Sequence, residues 1–183
     1  PRDEFARRMG LPPGAKFVAY LGSTSQIADD ERWLVKDIAR QLRDAADPRV
    51  RGLWVLFRPH PFHYDFSKDL GEPNLVTYRN DAVDVPHSLS SVRDLYNTVA
   101  YATAAVGINT SAMIETIILN KPCIAVLADR FRDTQMLTLH FQDLLRYNAV
   151  ELAADGADVG RRVLAILDGK DETAVGRSGF VRA

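Results

Sequence analysis

Short apolar runs recur along this chain with amphipathic stretches between them, and that alternation restricts the fold more than any single motif does. Residues 16–21, 53–57, 74–78, 104–108, 123–127 and 149–152 read as strands. The unbroken apolarity of Leu53-Trp54-Val55-Leu56-Phe57 suits a parallel strand covered on both faces. Helical spacing appears over 29–46, where Trp33, Leu34, Ile38, Ala39 and Leu42 share a face capped at Asp29 or Asp30. It returns over 91–102 with Val92, Leu95, Val99 and Ala100, over 110–120 with Met113, Ile114, Ile117 and Ile118, and over 138–147 and 157–167. Alternation of this kind predicts an α/β fold: a doubly wound, Rossmann-like parallel sheet of about six strands flanked by helices.

One such domain fits 183 residues, and two do not fit comfortably. We read 1–15 as a lead-in linker with a short helix over 3–9, 16–168 as the domain, and 169–183 as a tail. The chain opens on Pro1 and stops on a partly apolar stretch, Gly179-Phe180-Val181-Arg182-Ala183, so a piece of a longer protein is expected. Lysine and arginine number 23 against 24 acids, for a net charge of -1, which leaves no basic footprint for nucleic acid. Any anion must be held by local geometry. The single Cys123 excludes an internal disulfide and a cysteine-built metal site. It reads as a small buried hydrophobe, and a soluble domain in a reducing, cytoplasmic setting is expected. No apolar stretch approaches the roughly 20 residues that span a bilayer.

In an open α/β sheet the ligand crevice lies at the carboxyl ends of the strands. Two motifs follow predicted strands directly: Arg58-Pro59-His60-Pro61 and Asn109-Thr110-Ser111-Ala112. Both are therefore expected at one crevice. Arg58 and His60 supply positive charge and a donor, and Pro59 and Pro61 stiffen the backbone on either side of the imidazole. Asn109, Thr110 and Ser111 stand where a helix start turns N–H groups toward an anion, although ordinary capping by Asn109 or Thr110 accounts for the same residues. Glu115, one helical turn past Ser111, suits a ribose diol or simply complements the helix dipole. Gly22-Ser23-Thr24-Ser25 forms a third loop at the same edge, with Ser23 and Thr24 as further candidates for an anion or a sugar hydroxyl, or as a plain turn.

Other residues have structural readings. Trp33, Trp54, Met113 and Tyr96 fall on apolar faces and read as core. His63 reads as a surface histidine, while His140 lies near the crevice with a hydrogen-bonded, half-buried reading beside the functional one; His87 stays open. Asp129-Arg130-Phe131-Arg132-Asp133 reads as a solvated loop bordering the crevice. Neither a G-x-G-x-x-G fingerprint nor a G-x-x-x-x-G-K-[ST] loop is present, and no G-x-S-x-G elbow. No metal is expected.

From about Lys16 to Leu152 the sequence resembles the C-terminal, nucleotide-sugar-binding half of GT-B glycosyltransferases of bacterial surface polysaccharide synthesis. It is most similar to the polysialyltransferase, Kdo-transferase and CDP-glycerol transferase-like groups, which share a His-Pro motif and a downstream Ser/Thr motif, here His60-Pro61 and Thr110-Ser111. The resemblance implies that His60, Thr110 and Ser111 hold the donor nucleotide and its phosphate, with Asn109 and Glu115 as weaker transfers. It further implies transfer of a sugar or polyol phosphate to a surface polysaccharide, with no cofactor beyond the donor. Its partners would be an N-terminal acceptor domain that provides the base and, for the full-length protein, a peripheral membrane association. Two alternatives stand beside it: one half of a UDP-sugar epimerase-like enzyme, and a non-catalytic α/β binding module in which Arg58 and His60 are structural.

Overall fold

The computed structural model describes residues 2–61, 70–78 and 89–183. His63 and His87, within 62–69 and 79–88, lie outside the described residues. Six strands form the sheet: β1 (Phe17–Leu21), β2 (Trp54–Arg58), β3 (Leu75–Thr77), β4 (Ala105–Gly107), β5 (Cys123–Val126) and β6 (Glu151–Ala153). They are parallel throughout, in the order β3-β2-β1-β4-β5-β6, with Phe17 opposite Trp54, Ala19 opposite Ala105 and Ala105 opposite Cys123. Every residue of β1, β4 and β5 is buried, as central strands covered on both faces require.

Nine helices accompany them among the described residues: α1 (Arg2–Arg8), α2 (Arg32–Arg43), α3 (Pro48–Arg51), α4 (Leu89–Tyr101), α5 (Ala112–Ile118), α6 (Arg132–Met136), α7 (Leu139–Arg146), α8 (Gly156–Leu167) and α9 (Ala174–Arg182). One face of the sheet packs Val18, Tyr20, Val55 and Val106 against Leu34, Ile38 and Leu42 of α2 and Val159 and Val163 of α8. The opposite face packs Phe17, Leu21, Leu56 and Ala125 against Phe5 of α1, Val99 of α4, Met113 and Ile117 of α5, and Phe141 and Leu144 of α7. The lead-in helix is thus part of the second core.

Several elements depart from expectation. Helix α2 begins at Arg32, not near Asp29, because Glu31 occupies the N-cap position and its side chain makes no capping bond. Asp47 caps α3, which the sequence reading lacked, by accepting from the Arg49 N–H at 2.8 Å ahead of Pro48. The segment after β5 is a 3-10 turn (Asp129–Phe131) running into α6, with Phe131 buried, where a solvated loop was expected. Residues 174–182 fold back as α9, anchored by Arg177, which is buried and bonded to Asp171, Thr173 and Asn120. Trp33 and Tyr96, expected in the core, are 46% and 45% exposed. The strand order reverses between β1 and β4, and the loops that leave their carboxyl ends diverge there.

Candidate functional site

The reversal between β1 and β4 brings three loops together. Gly22, just past β1, donates its N–H to the Arg58 carbonyl at 2.9 Å. A Cβ at Gly22 would come within 2.9 Å of the His60 nitrogen and 3.1 Å of the Pro59 Cα, so the β1 loop lies backbone to backbone on the Arg58-Pro59-His60 turn. Gly107 plays the matching part in β4, where a Cβ would meet the Leu21 carbonyl oxygen at 2.6 Å. Only glycine admits these approaches.

Arg58 closes β2 with its guanidinium drawn inward. One terminal nitrogen, Nη2, donates to the Ser91 carbonyl at 2.9 Å and to the Ser91 hydroxyl at 3.3 Å, and the guanidinium carbon lies 4.0 Å from the centre of the Tyr78 ring. The other, Nη1, is buried without a hydrogen-bond partner among the described residues. Burial lowers the Arg58 pKa, while Tyr78, Asp94 and Glu115 favour its charge. Across from it, Thr110 is nearly buried, and Ser111 is exposed at the residue before α5 with its hydroxyl making no cap. The helix thus starts two residues later than expected, and neither Asn109 nor Thr110 serves as its cap. Glu115, in its first turn, has its carboxyl pushed up by burial and pulled down by Arg58.

These groups line one cleft of about 230 Å³. Arg58, His60, Pro61, Thr110, Ser111 and Glu115, all singled out from sequence, face it together, joined by Gly22. Helix α4 contributes Ser91, Val92, Leu95 and Tyr96. Sequence reasoning missed that wall, since an apolar stripe facing a cleft has the same spacing as one facing a core.

Ser23, Thr24 and Asn109, also singled out from sequence, are not part of the lining. The Thr24 carbonyl accepts from the Ile27 and Ala28 N–H groups at 3.0 and 2.9 Å, closing a turn. Asn109, 1% exposed, must satisfy its amide internally: Nδ2 donates to the Thr138 hydroxyl at 2.7 Å and the Gln135 carbonyl at 3.1 Å, and Oδ1 meets Nε2 of His140 at 2.6 Å. Because both amide hydrogens are taken, Oδ1 is the acceptor and His140 donates through Nε2. Burial lowers the His140 pKa, so the half-buried, hydrogen-bonded reading describes this residue.

Ser23 is fully buried and belongs to a second cluster. Its N–H and hydroxyl both donate to the Glu31 carboxylate, the hydroxyl at 3.3 Å, and the Tyr20 hydroxyl donates to the same group at 2.8 Å. The Ser23 hydroxyl oxygen also accepts the Asn109 N–H at 3.3 Å. Burial pushes the Glu31 carboxyl up to about 7 against the pull of these three donors. In sequence Glu31 was one acid in the run Asp29-Asp30-Glu31, indistinguishable from a solvated one. Among the described residues no group of three or more His, Cys, Asp or Glu is placed to hold a metal ion, and no helix is long and apolar enough to cross a membrane.

No family model matches the sequence, and no curated protein matches it either. Solved structures match over its length. The C-terminal CMP-Kdo-binding domain of WaaA from Acinetobacter baumannii aligns with a TM-score of 0.59 at 16% identity, covering 100% of this chain and 96% of that domain. The chain shares the fold of that domain. The wall teichoic acid polymerase TagF aligns with a TM-score of 0.64 at 13% identity over 98% of this chain. The spinosyn rhamnosyltransferase SpnG, complexed with spinosyn aglycone, aligns at 0.54 and 12% identity over 92%. This chain spans 41% of the TagF chain and 42% of the SpnG chain. At these identities the likeness is one of fold.

Proposed function

We propose that this chain is the donor-binding part of a glycosyltransferase, which passes a sugar or polyol phosphate from a nucleotide-activated donor to a polysaccharide acceptor. The observation that carries the reading is the meeting of Arg58 and His60 from the β2 end with Thr110 and Ser111 from the β4 end around one cleft at the carboxyl edge of the sheet. That edge is where α/β folds place phosphorylated ligands. Arg58 offers a buried guanidinium with Nη1 unmatched by any described residue, a group that phosphate oxygen satisfies well. Thr110 and Ser111 supply small hydroxyl donors, and the carboxylate of Glu115 suits a ribose diol.

In the reaction, negative charge grows on the nucleotide phosphate as the glycosyl bond breaks. Arg58, His60 and the hydroxyls opposite stabilise that charge, so the site favours the departing group over the intact donor. The neighbours agree in kind: one is a CMP-Kdo-binding domain and another is a wall teichoic acid polymerase. On the same reading the donor is a substrate and no separate cofactor takes part. The acceptor and the base belong to an N-terminal half, and the protein works in the cytoplasm of a bacterium, at the membrane where capsule or other surface polymers are made.

Calorimetric titration with CMP, CDP, UDP and GDP tests the reading. Saturable binding of at least one, competed by its nucleotide sugar, is expected. Absence of binding by all four would leave the non-catalytic module as the better account, and product analysis of the full-length protein separates transfer from epimerisation.

A further inference from the structure

Glu31 lines no part of the cleft, yet its carboxylate is held by Ser23, next to the cleft residue Gly22, and by the Tyr20 hydroxyl of β1. Its carboxylate is 1% exposed as a residue and takes both donors of Ser23, one residue past Gly22. Gly22 in turn lies against the His60 and Pro59 backbone. The Ser23 hydroxyl, by accepting the Asn109 N–H, ties the same carboxylate to the residue that precedes Thr110 and Ser111. Asn109 carries the chain on to Gln135, Thr138 and His140. One side chain therefore sits at the junction of the β1 and β4 loops, both of which border the site.

We propose that Glu31 is a positioning residue of the cleft: ionised, it holds the β1 and β4 loops in the arrangement that receives the ligand, and protonated, it releases them, so that affinity depends on its charge. The physical step is a reversal of donors. As a carboxylate Glu31 accepts from Ser23 N–H, Ser23 O–H and Tyr20 O–H at once. Oε2 takes both hydroxyls, so a proton on it puts a hydrogen where one of them points; a turn of the Ser23 hydroxyl loosens its acceptance of the Asn109 N–H. The switching range lies near neutrality because burial lifts the carboxyl to about 7.

Other ionisable groups near the network titrate elsewhere or cancel. Tyr20, from β1, is pushed well above its ordinary value by burial and by Glu31 itself. Asp30, beside Glu31, is held low by Arg32, and Asp29 pairs with Arg130. His140 on α7, reached through Asn109, lies below the usual histidine value. Arg58, His60 and Glu115 line the cleft itself and are the same in parent and variant.

The inference takes its ligand from the donor-site reading, while the coupling of Glu31 to the loops stands apart from it, so the experiment has two arms. In the first, without ligand, the Glu31 carboxyl carbon and the Ser23 and Asn109 amides are followed by NMR from pH 5 to 9. All three are expected to move with a common midpoint near 7, and the two amides to stop moving in Glu31→Gln. In the second, CMP, CDP, UDP and GDP are titrated at pH 6, 7 and 8 into parent and Glu31→Gln. The ratio of their Kd values is expected to climb from about 1 at pH 6 to about 5 at pH 8, the lower end of ordinary site-to-site coupling.

A ratio constant across pH, or amides that titrate unchanged in Glu31→Gln, overturns the inference. Should that variant not fold, the parent alone decides, since amides tracking a carboxyl midpoint below 5 would overturn it equally. If no nucleotide binds at any pH, the donor-site reading falls, and the first arm still decides whether Glu31 controls the loops.

Discussion

A carboxyl sealed among three donors and lifted to about 7 by burial has a thermodynamic cost that can be measured. In the unfolded chain Glu31 reverts to its ordinary value near 4.5. Below that pH both states hold the proton and nothing is lost; between 4.5 and 7 the folded state keeps it while the unfolded state has released it. Stability therefore declines as pH rises through this window and levels off above it, by an amount on the order of 3 kcal/mol. Glu31→Gln removes the titration, so its stability relative to the parent should rise by that order between pH 5 and pH 8 in urea denaturation. A pH-independent difference would mean that Glu31 titrates in its ordinary range. The cleft residues carry the opposite signature. His60→Ala removes a charge-assisted contact worth about 1.5–3 kcal/mol, and should weaken nucleotide binding about tenfold or more. Ser111→Ala removes a neutral contact worth about 1 kcal/mol and should weaken it about fivefold. Ser111 is exposed and His60 half-buried, so neither change should move the melting temperature by more than a degree or two. Loss of stability with affinity intact would place both residues in the scaffold.

Between residues, the elements meet through backbone contacts that explain which parts of the site were legible in sequence. The strands and the doubly wound parallel sheet followed from apolar runs alternating with amphipathic stretches, and the two motifs converged because each stands at the carboxyl end of its strand. The α4 wall and the Glu31 junction were not legible. Spacing places Tyr96 on a stripe without saying what the stripe faces, and Glu31 differs from Asp29 and Asp30 only in three dimensions. Likewise, Asn109 turns toward α7 because Gln135 and Thr138, distant in sequence, accept its hydrogens. Helix α9 was read as a tail because its marker, Arg177, is an ordinary surface residue type in most sequences. It is 2% exposed, with Asp171 bound at both guanidinium ends and Gly176 lying against the Tyr147 and Asn148 carbonyls. Removing one partner of such a buried pair costs about 3–5 kcal/mol. Arg177→Ala should therefore lose that order of stability while the folded fraction keeps its nucleotide affinity, a combination that thermal melts with and without nucleotide resolve. Gly22→Ala acts on the site instead. Its methyl would press on backbone at 2.9 and 3.1 Å, which cannot turn aside as a side chain does, so the Arg58-Pro59-His60 turn must shift. We expect a loss of about 1–3 kcal/mol and binding weakened beyond what His60→Ala causes, because the whole turn moves.

At the scale of the molecule, the sheet is fully clothed on both faces and the cleft is left at one edge. Its volume of about 230 Å³ falls short of the roughly 300–1,000 Å³ that encloses a small ligand in most sites. A nucleotide sugar is larger than this, so on the proposed reading the cleft would grip the phosphate and ribose and leave the rest toward the open side. Affinity scales with what is enclosed and preorganised, and an edge cleft of this size supports only weak binding. The chain spans 41% of the TagF chain and 42% of the SpnG chain, and on the proposed reading an acceptor half would close the open side. From this follows an expectation for the 183-residue chain: nucleotide binding with Kd in the range of about 0.1–1 mM, and no transfer of sugar to any acceptor. Supplying the acceptor half in one polypeptide should tighten binding and bring turnover, because closure excludes water from the phosphates and strengthens every charge interaction around Arg58 and His60. Steady-state assays with a radiolabelled donor compare the two forms directly. Transfer by the chain alone would show that this cleft carries the base as well, and Glu115, the one carboxyl among the described cleft residues, would be the group to test.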